Sequence, residues 1–464
     1  MVHQPSRSTA VRPSTKPAST TSSEAGLKVY ALATERHFVD HLAPIWNALP
    51  EEVRGTFYCG GGPGRPRLAY TQAVGVHGIT EACGGMPKRR HRGLAMVAAS
   101  GDLNRVVRAS PDMRMVMFEH GCGLSYNRRQ NSYAGARNRP NVDLFIFPNE
   151  LSAGKQRVAH PDVRIEVLGS SPRLDPWAPG GTSRLEYEAR RAGRPPCVCI
   201  SFHWDCQVVP ETRSALPYYR KRFTDLLDRG WEVIGHAHPR IIDHAEIAYR
   251  AAGIETVRDF AEVMDRADLY AIDNSSTLYE FAATGRPVIA LNCPRYRKHV
   301  RHGLRFWSDI PGPQVDGPEQ LPDVIERALT DPREYRNLRE SAIKSVYPQH
   351  DGGATSRAAA MILDQLAVTE ADYPSPDARW KGPSRQFVVH GPDGPWKGGP
   401  FLVFDEARRL VKKRGGDANG WSLEEIVNGE STIEVKEAHL HPAAEARMAP
   451  SGGPGADSRV SRRI

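Results

Sequence analysis

The sequence lacks several features that would define its class. It has no uninterrupted apolar run approaching the roughly 18 residues that span a bilayer, and no apolar segment typical of a secretory signal peptide. Its seven cysteines are an odd number without disulfide-like spacing, which indicates reduced thiols. No internal repeat is present. We therefore expect a cytoplasmic chain without a disulfide framework.

Signatures of nucleic-acid binding are also missing. The chain has no RNA-binding aromatic motif, zinc-finger spacing or helix-turn-helix pattern, and we expect no nucleic-acid partner. It is modestly basic, with 62 Lys and Arg against 54 Asp and Glu and a formal net charge of +8. Basic clusters at residues 88–92, 128–129, 220–222 and 295–305 suit a nucleotide diphosphate, an anionic polymer or an anionic membrane face. Each is equally compatible with a solvated surface.

One group of residues raises the question of a metal. Cys197, Cys199, His203 and Cys206 could in principle supply four zinc ligands. Cys197 and Cys199, however, alternate along CVCIS as residues on one face of a buried strand, where small thiols pack well. We expect neither a metal nor a cofactor.

The most informative stretch is residues 268–291. An apolar run at 269–272 fits a buried parallel strand, and a polar turn that includes Asp273, Ser275 and Ser276 follows it. Backbone N–H groups at a helix start, with hydroxyls beside them, suit a phosphate or diphosphate. The same residues could simply cap the helix. The stretch therefore predicts an anion site or a capped turn at the end of a strand.

The helix that follows this turn has recognisable ends. Thr277 and Glu280 fit a capping box, Gly285 fits a C-terminal stop, and Pro287 opens the next apolar run. Upstream, a strand within residues 231–240 ends in two histidines, and ligands of open α/β sheets bind at that end of the strands. The order of these elements is β, α, β, α, β, which predicts a parallel α/β sheet.

Five motifs occur in an order that resembles a known family. They are Glu119-His120-Gly121, the LGSSPRLD element at 168–175, His238-Pro239, the segment 273–281, and the Gly-rich element 351–357. Together they resemble the CDP-glycerol glycerophosphotransferases of teichoic-acid and capsule synthesis, a branch of the GT-B glycosyltransferase architecture. The resemblance covers about residues 27–366. Three positions depart from it: Asn274 replaces a Tyr, Glu119 replaces an aromatic residue, and residues 202–205 replace a Pro-Thr-Trp-Arg type of strand end.

The resemblance implies an α/β, GT-B-like fold of two Rossmann-like lobes with parallel sheets, plus a small C-terminal appendage. The two expected lobes are an acceptor-side lobe at 27–175 and a nucleotide-donor lobe at 197–366, joined by a linker at 176–196. A disordered leader at 1–26 is expected before them. After them we expect an appended module at 367–440, with a helix at 404–413 and a short strand at 432–435, and a disordered tail at 441–464. The last helix of the second lobe is expected to cross back to the first. His37 and His41 lie on a helical stretch and are expected to be polar helix positions, with acceptor contacts as the alternative.

The candidate site residues follow from motif and position. His120 follows a predicted strand and is flanked by glycines, which suits a general base. His238, Ser275 and Ser276 are expected to bind the donor diphosphate and to stabilise leaving-group charge. The further donor-side candidates are Asp273, Arg173, Ser356, Arg357 and Glu280, the last of which has ribose contact and helix capping as alternative roles.

The expected function is transfer of a polyol-phosphate unit from a CDP-activated donor to a cell-envelope or polysaccharide acceptor, either polymer or lipid-linked. Peripheral contact with the anionic inner membrane face is compatible with it. One alternative is a GT-B glycosyltransferase that uses a nucleotide sugar, and a nucleotide-sugar epimerase is a more distant one. A non-catalytic basic protein that binds an anionic polymer or membrane is the alternative from another class.

Overall fold

The computed structural model describes residues 26–60, 73–79, 86, 91–110, 112–122, 139–205, 214–294, 310–372, 385–392, 394–395, 410, 422–427 and 430–435. In these ranges the chain forms two parallel six-stranded sheets with helices, followed by a four-stranded antiparallel sheet. None of the helices in the described part of the chain has both the length and the apolar composition needed to cross a bilayer. The predicted α/β, GT-B-like class is confirmed.

The first lobe is built on a parallel sheet of order β2-β1-β3-β4-β5-β6. Its strands are β1 (Lys28–Ala33), β2 (Arg54–Cys59), β3 (Gly93–Val97), β4 (Arg114–Phe118), β5 (Leu144–Phe147) and β6 (Arg164–Val167). Its helices are α1 (Arg36–Ala48), α2 (Ser100–Ala109) and α3 (Glu150–Ala159). Strands β3 and β5 are buried throughout, as their nearly continuous apolar sequences require in a sheet covered on both faces.

The segment between the lobes contains two short helical elements. A 3-10 helix, Pro172–Trp177, closes the first lobe, and α4 (Thr182–Arg191) follows it. Tyr187 of α4 is buried and donates its hydroxyl to the Asp268 carboxylate of the second lobe. The predicted linker therefore contains the expected short helix, which packs on the second lobe.

The second lobe has a parallel sheet of order β12-β11-β10-β7-β8-β9. Its strands are β7 (Cys197–Phe202), β8 (Glu232–Ala237), β9 (Glu255–Thr256), β10 (Leu269–Ile272), β11 (Val288–Leu291) and β12 (Gln314–Val315). Its helices are α5 (Leu216–Tyr219), α6 (Thr224–Leu227), α7 (Ile242–Ala251), α8 (Phe260–Arg266), α9 (Thr277–Ala283), α10 (Leu321–Thr330) and α11 (Arg336–Val346). Gly285 follows α9 with φ of 83°, a left-handed conformation that glycine adopts readily, so the predicted stop is confirmed.

Each sheet reverses its strand order once, and both reversals contribute to the same crevice. In the first lobe the order turns between β1 and β3, and in the second between β7 and β10. Ligands of open α/β sheets bind beyond the carboxyl ends of the strands at such points. The residues that follow these four strands meet between the lobes.

The last helix of the two-lobed body, α12 (Ala354–Asp372), belongs by sequence to the second lobe but packs on the first. Ala358, Ile362 and Leu366 are buried in the same apolar cluster as Val39 and Leu42 of α1. The predicted crossing back to the first lobe is therefore confirmed.

Beyond α12 the structure describes a small antiparallel sheet of order β14-β13-β15-β16. Its strands are β13 (Arg385–Gly391), β14 (Gly394–Pro395), β15 (Ser422–Val427) and β16 (Glu430–Val435). The strand predicted at 432–435 forms part of β16, whereas β13 and β15 were not predicted. The predicted tail lies outside the described residues, as do residues 1–25 of the predicted leader and the helix predicted at 404–413 apart from residue 410.

Candidate active site

A cleft of about 300 Å³ lies between the two lobes. His120 of the first lobe and His238, Ser275 and Ser276 of the second line it together. The two walls approach closely, because a Cβ placed on Gly121 would lie 3.5 Å from Ser276 Oγ. The structure thus brings into one cleft four residues that the sequence places up to about a third of the chain apart.

The hydrogen bonds of His120 fix its tautomer. His120 follows β4, and its Nδ1 lies 2.5 Å from the carbonyl oxygen of Ala98. A carbonyl oxygen can only accept, so Nδ1 carries the proton and donates. The lone pair is then on Nε2, the other ring nitrogen of a side chain that lines the cleft. His120 therefore has the tautomer that a general base requires.

His238 is held in the opposite tautomer. It follows β8, and its Nδ1 accepts a hydrogen bond of 3.1 Å from the backbone N–H of Arg240. A backbone N–H can only donate, so the proton of the neutral ring is on Nε2. His238 is thus prepared to donate to an anionic ligand, whereas His120 is prepared to accept a proton.

Other imidazole rings connect these two across the cleft. The His37 ring lies 5.8 Å from that of His120 and 5.5 Å from that of His238. His41 lies 5.9 Å from His120 on the first-lobe side, and His203 lies 4.9 Å from His238 on the second-lobe side. His37 and His41 are one turn apart on α1, so their spacing put them on one helix face. The sequence of the helix alone could not predict that the face with His37 and His41 lines the cleft.

Burial keeps several of these histidines neutral. It lowers the pKa of His203 to about 4 and that of His236 to about 4, and hydrogen bonds to the carbonyl oxygens of Trp204 and Val257 only partly offset it. Burial also lowers the pKa of His41 and of His238, and nearby cationic or imidazole groups add to the effect. These four rings are therefore uncharged near neutral pH and act as hydrogen-bonding groups.

The turn after β10 does not form the predicted capping box. Helix α9 begins at Thr277, one residue earlier than that motif requires, and its N-cap Ser276 makes no side-chain cap. The backbone N–H groups of Thr277 and Leu278 donate to Ser275, to its hydroxyl and its carbonyl oxygen respectively. The expectation that free helix amides bind the phosphate is therefore wrong for these two. The Ser275 and Ser276 hydroxyls remain the candidate contacts of this turn.

Glu280 has a different partner from either predicted role. Its carboxylate is buried and lies 2.7 Å from the Arg173 guanidinium. Burial raises the pKa of Glu280, and the charge of Arg173 partly counteracts that rise. Arg173 also reaches His41 Nε2 at 3.1 Å and packs over the Phe260 ring. Arg173 and Glu280 line the cleft as an ion pair between the end of the first lobe and the second.

Asp273, predicted to contact the donor, is instead occupied by the backbone. Its carboxylate accepts from the N–H groups of His203, Ala215 and Asn274, at 2.7, 2.9 and 2.6 Å. The side chain is buried and does not line the cleft. The prediction for Asp273 is wrong, because this carboxylate holds the strand ends that carry other site residues.

Ser356 and Arg357 also lie outside the cleft. Arg357 pairs with Asp351 at 2.9 Å and donates to the carbonyl oxygens of Leu168 and Gln349. The first backbone N–H groups of α12, at Ala354 and Thr355, are satisfied by the Asp175 carboxylate. The segment that carries these two donor-side candidates is therefore a junction between the lobes.

The departures from the family pattern have local explanations. Glu119 pairs with Arg139 at 2.9 Å, so an ion pair occupies the position of the usual aromatic residue. Asn274 is buried beside Asp273 and does not line the cleft. Asp205 accepts a hydrogen bond of 3.3 Å from the backbone N–H of Ser214. Glu119, Asn274 and Asp205 do not line the cleft, whereas residues 202–204 of the third departure do.

The possible zinc ligands do not converge in the described residues. Cys197 and Cys199 are buried in β7, and burial raises the pKa of the Cys197 thiol to about 12 and that of Cys199 as well. Cys206 lies outside the described residues. Among those that the structure describes, no three His, Cys, Asp or Glu side chains form a metal-binding group.

Of the basic clusters, 220–222 is described in full and is exposed, and only residues 91–92 of the cluster at 88–92 are described.

Comparison with known proteins supports the predicted family. Residues 204–364 match the model of the CDP-Glycerol:Poly(glycerophosphate) glycerophosphotransferase family. That match agrees with the resemblance and the transferase class expected from the motifs. No curated protein sequence matches the chain significantly.

Solved structures show the same architecture. The wall teichoic acid polymerase TagF superposes with a TM-score of 0.51 at 14% identity, covering 74% of this chain and 90% of the polymerase chain. A variant of that polymerase soaked with CDPG gives a TM-score of 0.51 at 13% identity, covering 74% and 89% of the two chains. At this level of identity the likeness establishes the fold.

Proposed function

We propose that this chain, whose residues 204–364 carry the glycerophosphotransferase family match, transfers a glycerol-phosphate-like unit from a CDP-activated donor to a cell-envelope polymer acceptor. The observation that carries the proposal is the pair of opposite tautomers across one cleft. His120 offers a lone pair and His238 offers an N–H. Phosphoryl transfer requires both, one for the attacking hydroxyl and one for the departing phosphate.

In the proposed reaction the acceptor hydroxyl oxygen attacks the distal phosphorus of the donor diphosphate. A new oxygen–phosphorus bond forms, and the bond from that phosphorus to the bridging oxygen breaks. The hydroxyl proton moves to His120 Nε2, and CMP leaves with the bridging oxygen. The Nε2–H of His238 and the hydroxyls of Ser275 and Ser276 would stabilise the negative charge on the diphosphate as it shifts to CMP.

The cleft also offers positive charge near these groups. Arg240 of the second lobe lies over the Trp204 ring at 4.9 Å and reaches Glu35 of the first lobe at 3.2 Å. Arg36 of the first lobe pairs with Asp259 of the second. A bound diphosphate would compete with the carboxylates for these guanidinium groups, because arginine binds phosphate in two-pronged geometry. Donor binding would thus exchange lobe-to-lobe ion pairs for contacts with the substrate.

We further propose that the first lobe, 27–175, binds the acceptor and the second, 197–366, binds the donor. His120 on the first lobe would then receive the acceptor proton, and His238 with the serine turn would hold the donor. The net charge of +8 favours an approach to an anionic membrane face if the acceptor is lipid-linked. Flotation with anionic vesicles tests that contact independently of catalysis.

The released nucleotide tests the proposed reaction. Purified protein is incubated with CDP-glycerol and, in parallel, with UDP- and GDP-linked sugars, together with an acceptor polymer. CMP release that depends on acceptor supports phosphoryl transfer, because only cleavage between the two phosphorus atoms yields a monophosphate. Release of UDP or GDP would identify attack on an anomeric carbon, and absence of turnover and of donor-induced thermal stabilisation would leave the binding-protein alternative.

A further inference from the structure

A second cavity, of about 850 Å³, lies at the C-terminal end of α9. Its walls are the linker helix α4, the loop that follows α9, and α11 with the segment that precedes it. Helix α9 links the two sites, since residues near its beginning line the cleft and Ala282 to Pro287 line this cavity. The volume falls within the roughly 300–1,000 Å³ range of ligand sites, and the proposed transfer leaves it unused.

The cavity is strongly basic. Seven Lys or Arg side chains line it against two Glu, which leaves an excess of five positive charges. Part of this charge is balanced locally by three ion pairs: Arg184–Glu188 at 3.1 Å, Arg336–Glu340 at 2.7 Å and Arg191 with Asp268, just outside the lining, at 3.2 Å. Arg333 and Lys344 are exposed, and among the described residues neither side chain has a hydrogen-bond or ion-pair partner. A concave surface with this excess charge attracts anions.

Two of the cations are built into the floor of the cavity. Arg286 is buried, lies over the rings of Trp177, Tyr187 and Phe281, and donates to the main-chain carbonyl oxygens of Met264 and Ala267 at 2.6 and 2.7 Å. Arg339 is also buried and donates to the carbonyl oxygen of Pro332. Carbonyl oxygens orient a guanidinium without neutralising its charge. The positive potential of the floor is therefore a fixed property of the fold.

The arrangement suits an extended anion. Arg336 and Lys344 are eight residues apart on α11, which separates their Cα atoms by about 12 Å at 1.5 Å per residue. One phosphate cannot span that distance, whereas successive phosphates of a chain can. A concave site is a poor fit to a membrane surface, and its aromatic rings are buried under Arg286 and unable to stack on bases.

We propose that this basic cavity binds the phosphodiester backbone of an anionic polymer, the elongated acceptor or product of the transfer. The identity of the polymer rests on the proposed function. The binding of a phosphate chain by these cations does not depend on it. Such a site would hold the polymer on the enzyme between successive transfers. It would act on the affinity for long acceptors and leave the chemistry at His120 unchanged.

The direct test is calorimetric binding of a short oligo(glycerol phosphate) to the full chain and to the double variant Arg333→Gln with Lys344→Gln. Both residues are exposed and lie outside the cleft, so the fold should be retained. The matched control, Arg220→Gln with Lys221→Gln, removes the same charge from another exposed segment. We expect binding about three- to tenfold weaker in the cavity variant, a salt dependence reduced by about two counterions, and no change in the control.

Several outcomes would overturn the proposal. Equal weakening in both variants would mean non-specific attraction, and equally tight binding of inorganic phosphate would mean a single-phosphate site. Loss of binding to phosphatidylglycerol vesicles with unchanged oligomer binding would mark a membrane contact instead. In an acceptor-dependent CMP assay, the cavity variant should raise KM for the polymer three- to tenfold and keep kcat for a single-unit acceptor. If the unmodified chain releases no CMP, the proposed function fails, while the calorimetry still decides whether the cavity binds a phosphate chain.

Discussion

The two walls of the cleft differ in how their polar groups are held. On the second lobe, His203 and His236 are buried and His238 is partly buried, the pKa values of all three are lowered, and backbone groups fix their rings. On the first lobe, His41 is also buried with a lowered pKa, whereas His120 donates through Nδ1 to a backbone carbonyl oxygen and keeps its Nε2 lone pair. This difference supports the proposal that the second lobe binds the donor and that the first lobe performs the proton transfer.

The variant His120→Ala is the sharpest test of these separate roles of the two lobes. Loss of the general base should lower kcat by about 10²- to 10⁴-fold and leave donor affinity nearly unchanged, because the base acts on the acceptor proton in the transition state. Acceptor-dependent CMP release gives kcat, and calorimetry gives the donor affinity. Full turnover in this variant would remove the base assignment and make the His-Gly pair structural.

His238 should respond differently, since its N–H is proposed to contact the donor both before and during transfer. We expect His238→Ala to lower kcat/KM by about 10²-fold and to weaken donor binding as well, as loss of one preorganised donor does elsewhere. The matched comparison is glutamine at each position. A glutamine N–H can replace an imidazole donor but not a base, so His238→Gln should recover part of the activity and His120→Gln none. Equal activity of the two glutamine variants would contradict the tautomer assignment.

The second-lobe wall should also carry a stability cost in acid. His203 and His236 have a pKa of about 4 when folded and about 6.5 when unfolded. Since the folded value is lowered, the unfolded chain binds more protons between these limits, and stability falls as pH falls through them. Each histidine should cost about 2 kcal/mol between pH 6.5 and 5. Urea unfolding at several pH values measures this; His203→Gln should flatten the pH dependence, and replacing the exposed His244 should leave it unchanged.

The serine turn should give the smallest effect. Removing both hydroxyls in Ser275→Ala with Ser276→Ala should weaken donor binding about thirtyfold, because each net hydrogen bond contributes about 1 kcal/mol. The single variants separate binding from folding. Ser275 accepts from Thr277, whereas Ser276 makes no cap, so Ser276→Ala should reduce affinity without lowering stability. Unchanged donor affinity in all three variants would favour a purely structural turn.

The features that sequence could predict are those encoded locally. Alternating strands and helices predicted the parallel sheets, and Gly285 predicted the end of α9. The order of the motifs predicted the two lobes, the return of α12 and the cleft positions of His120 and His238. Hydrogen-bond and ion-pair partners that are distant in the sequence could not be predicted from it. Glu280 fits a capping box by spacing, yet its partner Arg173 is more than a hundred positions away. Asp175 reaches across an even larger separation, 180 positions, to Thr355 at the start of α12. Asp273 likewise resembled a ligand contact, because the backbone N–H groups that occupy it come from distant segments, His203 after β7 and Ala215 at the start of α5.

The return of α12 has a consequence for where this protein can be cut. The segment that matches the family model starts at residue 204, just after β7, and ends at 364, inside α12. Strand β7 pairs with both β8 and β10, so a fragment with those limits lacks the strand that joins the two halves of its sheet. It would also expose the apolar side of a half-helix whose binding surface belongs to the other lobe. The stretch that defines the family is therefore not a unit that can be excised and refolded, and the first lobe needs residues from both sides of the second to complete its core.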